Sequence, residues 1–151
     1  MNTLPTILNS ISFLFLALIF FTAIKNYPQL PNKIPIHFNI EGKADRYSSK
    51  KWIFLLPILG LVLLAFMTAD LEYNFPIKIT KENFENQKLI ADIVTSGIGL
   101  ISMLLFYSII QLTIHYQDEI KRKKWKIYIW TFGILSIIFP IIMIIIAYIY
   151  R

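Results

Sequence analysis

The chain has no cysteine. Disulfides, thiol catalysis, cysteine-held zinc, covalent haem attachment and a lipid-modified cysteine anchor are thereby excluded. Charge is scarce as well: Asp, Glu, Lys and Arg make up 16% of the 151 residues, against 56% hydrophobic ones. A soluble domain of this length cannot hide that much apolar surface, so composition argues against a water-soluble enzyme or DNA-binding domain. Acid inside the apolar stretches is nearly absent, Asp92 being the single case. A transporter or proton pump needs ionisable groups deep in the bilayer, and this chain offers almost none. Asp92 also lies four residues from Lys88, about 6 Å along a helix, within reach of the interface.

Long hydrophobic blocks take up most of the chain. They run from about Leu4 to Ile24, Trp52 to Ala69, Leu89 to Ile114 and Ile127 to Tyr150. With a rise of ~1.5 Å per residue against a hydrocarbon layer ~30 Å thick, each is long enough to cross or nearly cross. The first block has no Lys or Arg before it and no small-residue cleavage site before Lys25, so it reads as a retained helix rather than a cleaved signal peptide. The fold class that follows is all-α integral membrane. Residues 1–151 form one four-span membrane domain, with a short extended or hairpin-like loop between helices 1 and 2.

The net charge of +6 must be read by position. Lys and Arg number six between Lys25 and Lys51 and five between His115 and Lys126, but three between Asp70 and Lys88, none before the first span and one at Arg151. The positive-inside rule then places the first and third loops in the cytoplasm, with both termini and the second loop outside. Trp52, Trp125, Tyr128 and Trp130 fall at span ends on the inner side, and Tyr148 with Tyr150 at the other, where amphipathic rings prefer the headgroup layer. The cluster Lys121, Arg122, Lys123 and Lys124 is accounted for by topology, with anionic lipid or a soluble partner as the alternative. No nucleic-acid module surrounds it, so nucleic acid is not expected as a partner.

Two stripes of small or polar residues predict helix contact faces: Ser108, Gln111 and His115, continued by Thr95, Gly99 and Met103, on the third span, and Gly133, Ser136, Pro140 and Ala147 on the fourth. Asn74, Phe75 and Pro76 signal a turn in the second loop, with Thr80 as an N-cap for the third helix and Glu82 in its first turn. Between Gln117 and Lys126 there is neither Gly nor Pro, which predicts helix running on from the third span into the basic connection. His115, beside Asp118 and Glu119, reads as a solvated histidine.

The first loop carries the chemistry. Pro28, Pro31 and Pro35 exclude an ordinary helix, and the alternation beyond them predicts a strand with Ile36, Phe38 and Ile40 on one side and His37, Asn39 and Glu41 on the other. Gly42 supplies a turn, and Asp45, Arg46 and Tyr47 return as a second limb. His37, Asn39, Gly42, Asp45 and Lys50 are therefore the candidate binding residues. With no second His, no Cys, no calcium-loop spacing and no obvious nucleophile in the loop, no metal, cofactor or catalytic residue is assigned and no enzyme is expected. The same residues also suit a folding device, with Asp45 accepting backbone N–H groups in the turn.

The run Leu30-Pro31, Ile34-Pro35-Ile36-His37-Phe38-Asn39, Gly42, Asp45-Arg46-Tyr47 and Ser49-Lys50, followed by Pro57, resembles the bacterial membrane family called domain of unknown function 1648. That domain also forms the N-terminal part of Sdp-type toxin immunity proteins. The resemblance covers about Tyr27 to Gly60 with the preceding helix, and it does not extend into Leu89 to Arg151. It implies a polytopic protein of the bacterial cytoplasmic membrane, immunity-like, whose partners besides the lipid bilayer are a peptide toxin or a soluble regulator. The reading is thus binding or sensing; a small transporter or transporter subunit is the alternative, and assembly as a homo-oligomer stays open.

Overall fold

The computed structural model describes residues 3–69 and 80–150. The turn signal at Asn74, Phe75 and Pro76 lies outside the described residues. Among the described residues four helical segments are long and apolar enough to cross a membrane, the second of them, Lys50–Thr68, only with the 3₁₀ helix Lys50–Phe54 that opens it, the architecture of a multi-pass membrane protein. Helix α1 spans Thr3–Asn26, α2 Leu55–Thr68, α3 Phe84–Ile114 and α4 Glu119–Ile149. Between α1 and α2 stand strands β1 (Lys33–Phe38) and β2 (Ala44–Ser49), antiparallel and, among the described residues, paired only with each other.

Helix α3 is the axis of the bundle: α1 and α4 pack along it, α2 less extensively. Without a hydrophobic force between helices in lipid, close backbone approach decides which faces meet. Gly99 is buried where a Cβ would meet Leu64 at 3.2 Å, and Gly60 sits against Leu16 and Met103. Met103 is fully buried, so the expected face through Gly99 and Met103 is the packed one. Ser108 and Ser96 are buried on the same helix and return their hydroxyls to the carbonyls of Leu104 and Asp92, which satisfies them without a partner helix.

The expected face of α4 is only half realised. Ala147 is buried, but a Cβ on Gly133 would meet nothing within 4 Å. Helix α4 rests on α3 instead through Phe139, whose ring covers Gly97, and through Met143 and Ala147. Most of its remaining side chains are exposed to what would be lipid. Pro140 lies inside this helix and removes one N–H from its ladder, a loss that transmembrane helices tolerate.

The start of α3 shifts by a turn, and the expected continuation past its end does not occur. The α-helical run of α3 begins at Phe84 rather than at Thr80, but Thr80 still works as a cap: its hydroxyl accepts from the Asn83 N–H at 3.3 Å, while Asn83 Oδ1 accepts from the Thr80 N–H at 2.8 Å. This is a capping box with Asn in the place of Glu. Helix α3 does not run on into the basic segment. It stops at Ile114, and Asp118 caps α4 by accepting from the Lys121 N–H at 3.0 Å. An N-cap carboxylate at a chain reversal outweighs the helix propensity of its neighbours.

Candidate functional site

The hairpin and the α3–α4 turn meet at one end of the bundle and form a polar cap. Ile34 is the foot of the hairpin, buried with Leu30, Ile53 and Ile110. The strict alternation expected along β1 does not occur. Ile34 and Pro35 are both buried, whereas Ile36 is 50% and Ile40 80% exposed. Two irregularities explain this: Pro35 pairs with Tyr47 and His37 with Arg46, so Ile36 is an extra residue in β1, and Phe38 pairs with Ala44, so Asp45 is an extra residue in β2. Each bulge re-aims the side chains beyond it.

One result is that His37 and Asp45, not a pair in strand register, come together, with Nδ1 and Oδ1 2.6 Å apart. A carboxylate oxygen only accepts, so His37 Nδ1 carries the proton and Nε2 remains for another partner. Both side chains are exposed, at 57% and 44%. A pair this wet adds little stability, and its effect is to orient the imidazole. The expectation that Asp45 would accept backbone N–H groups is therefore replaced by a side-chain contact with His37.

Asn39 and Gly42 build the turn. Asn39 accepts from the Gly42 N–H at 2.8 Å through its carbonyl and from the Lys43 N–H at 2.9 Å through Oδ1, and its own N–H donates to the Lys43 carbonyl at 2.9 Å. Gly42 takes a φ of +77°, and a Cβ there would stand 3.1 Å from Lys126 Cδ; only glycine meets both demands without strain. Lys50 is at the other end of the hairpin. Its N–H donates to the Asn32 carbonyl at 3.0 Å and its ammonium lies 4.8 Å from the centre of the Tyr27 ring, itself packed on Phe54. Of the five candidate residues, then, two form an exposed pair, two make a turn and one latches the hairpin to the helix ends.

Sequence reasoning did not find the groups that join the hairpin to the rest of the cap. Tyr47 packs edge-on against Tyr116 at 6.1 Å, and Lys126 lies under the Gly42 turn. The Lys43 ammonium, 2.9 Å from Glu41, holds that carboxyl below its ordinary value by hydrogen bond and charge, with Lys126 adding to it. On α4, the Lys121 N–H lowers Asp118 and Lys123 lowers Glu119. At the far end, Gln87 is also unanticipated: buried, it donates to the carbonyls of Ala147 at 3.0 Å and Tyr150 at 3.1 Å, satisfying the open end of α4.

His115 is half-buried in the cap rather than solvated. Burial pushes it below its ordinary value and Lys121 pushes it further, with Asp118 opposing. The folded form therefore binds fewer protons than the unfolded one, so its contribution is present above the unfolded value of 6.5 and lost as pH falls through the lower folded value. The melting temperature in detergent is expected to fall as the pH is taken below the unfolded value of 6.5, and His115→Gln to flatten that fall. The lowered carboxylates titrate at more acid pH, so an unchanged slope in this variant would exclude His115 as the source.

Residues 13–61 match the family model described as Domain of unknown function (DUF1648). The matched segment runs from within α1 through the whole hairpin into α2. It holds His37, Asn39, Gly42, Asp45 and Lys50 and agrees with the resemblance carried by the loop residues. No curated protein and no solved structure matches the chain.

Proposed function

We propose that this is a binding or sensing protein of the bacterial cytoplasmic membrane, immunity-like, whose working surface is the hairpin-bearing cap. The observation that carries this reading is the exposed His37–Asp45 pair, held on a hairpin whose foot is locked into the core. Polar groups presented on a rigid scaffold are how binding surfaces are built. The buried polar side chains among the described residues, such as Ser12, Gln87 and Ser108, are all uncharged, which favours binding over transport of a charged solute.

The cap contains eleven of the fifteen Lys and Arg residues, which supports a cytoplasmic cap with both termini outside. A soluble regulator with an acidic surface then meets the hairpin, and a membrane-active peptide meets the helices from the bilayer. No chemical step is assigned to the protein.

The test is expression in a cell challenged with a membrane-active peptide, with a soluble regulator followed by co-purification. His37→Ala and Asp45→Asn are expected to lose at least about tenfold of the protection or of the captured regulator, with membrane levels unchanged. Full effect in both variants removes the hairpin from the reading. Ion flux in proteoliposomes that is abolished by Asp92→Asn would favour a transporter instead.

A further inference from the structure

The helices that touch the hairpin fix its depth. Helices α3 and α4 run antiparallel, with Phe139 against Gly97 and the Tyr107 and Trp125 rings 5.8 Å apart. Rise per residue is the same on both. Thirteen residues back from Phe139 and thirteen on from Gly97, Lys126 therefore stands opposite Ile110; reckoned from the Tyr107–Trp125 contact it stands opposite Phe106. Ile110 is where the foot of the hairpin is buried, through Ile34, and Lys126 is where its tip rests, through Gly42. The tip is thus as deep as the foot or up to a turn deeper, and the hairpin lies along the ends of the spans.

That depth is the edge of the bilayer. Lys126 is the last charged residue before the uninterrupted apolar run that begins at Ile127. On α2, the contact of Gly60 with Met103 sets Ile53 opposite Ile110 by the same count, next to Trp52, which is half exposed. Trp125, Tyr128 and Trp130 surround the same level on α4, where amphipathic rings prefer the headgroup layer. We infer that the hairpin is a bilayer-surface element, with Ile36 and Ile40 immersed at the headgroup–acyl boundary and lipid as the partner of that surface.

Ile36 is the extra residue of a bulge and half exposed, a placement that water does not favour for an apolar side chain. It shares a groove of about 400 Å³ with Trp52, Leu55 and Ile109. Trp52 and Leu55 are exposed residues of the second span, so the lipid-facing surface of that span continues without a break onto the hairpin. Ile40, in the turn that Gly42 closes, is exposed at the depth of Lys126. Apolar side chains of interfacial elements enter this boundary by ~5–10 Å. The His37–Asp45 pair is then presented at the level of the headgroups. This inference rests on depth alone, and loss of the proposed binding role would leave it standing.

Because the chain has no cysteine, a single nitroxide can be attached to Ile36→Cys, Ile40→Cys or Ile120→Cys in the full protein, reconstituted in phosphatidylglycerol–phosphatidylcholine vesicles. Collision with oxygen, which concentrates in lipid, and with a water-soluble nickel complex is read by electron paramagnetic resonance. Ile120 is the control: the same side chain, 83% exposed, six residues before Lys126 on α4 and hence ~9 Å farther from the bilayer. Labels at positions 36 and 40 are expected to collide with oxygen in preference to nickel and to read about 9 Å deeper than the label at 120. Position 40, in the exposed turn, keeps the test independent of any disturbance that a label causes beside the foot.

Nickel access at positions 36 and 40 equal to that at 120 would put the hairpin in water and overturn the inference. Shielding of both positions from oxygen as well as nickel would also overturn it, since protein, a second copy included, would then cover the surface.

Discussion

Replacing Gly97 with Leu is expected to detach α4 from α3. A Cβ at Gly97 would come within 2.5 Å of Phe139 Cζ and 2.6 Å of Cε1, distances that no real contact sustains. The ring stands against Gly97 with no room for a side chain, so an added one displaces Phe139 and with it the seat of α4 on α3. Overpacking of this kind costs ~1–3 kcal/mol in a well-packed core. Here the effect is concentrated, because α4 has its extensive contact with α3 alone, and in lipid no hydrophobic force between helices restores the lost contacts.

The measurement is thermal unfolding in detergent, together with disulfide trapping between α3 and α4. Because the native chain has no cysteine, an introduced pair reports without background. Gly97→Leu should lower the melting temperature by several degrees, at ~2–4 °C per kcal/mol for a chain of this size, and slow the trapping. Gly133→Leu is the matched control, since open space surrounds that position. Equal effects of the two substitutions would mean that the Gly97–Phe139 approach does not hold the helices together.

Ile34→Asp is expected to release the hairpin from the bundle while the four helices stay inserted. Ile34 is 1% exposed among Leu30, Ile53 and Ile110. Truncating such a side chain to Ala costs ~2–5 kcal/mol, and a carboxylate left there without a partner costs more still. A two-stranded hairpin is marginal by itself, and the contacts left once its foot is expelled, Tyr47 on Tyr116 and Gly42 on Lys126, lie at the exposed cap. His37 and Asp45 then lose their common geometry, and the cap its shape.

Hydrogen exchange over residues 33–49 should rise to the rate of an unprotected chain in Ile34→Asp, with the spans still protected. Ile40→Asp, at a position 80% exposed in the turn, should change little. Persistent protection in Ile34→Asp would show that the hairpin is held by its contacts with the α3–α4 turn instead, Tyr47 on Tyr116 and Gly42 on Lys126.

The spans were legible from residue types alone. Crossing lipid requires about twenty apolar residues in a row, a property summed along the chain, and four blocks in the sequence meet it. The hairpin was legible for a similar local reason: Pro35 demands extended backbone and Gly42 permits the left-handed turn, and neither needs a distant partner. The break after α3 was within reach too, since Asp118 is a standard N-cap residue. It was outweighed by the absence of Gly and Pro around it.

What remained for the tertiary structure depends on rotation and register. Ile36 faces outward because it is the extra residue of the bulge between the Pro35–Tyr47 and His37–Arg46 pairs, a change of register that one strand alone does not reveal. Gly97 matters and Gly133 does not because α4 is turned to set Phe139, not Gly133, against α3. Gln87 meets Ala147 and Tyr150, some sixty residues on, only because two long helices lie antiparallel. Each residue's affinity for water or lipid is its own, so the sequence determined what enters the membrane. Which side chains touch is a joint property of two segments, and only their packing decided it.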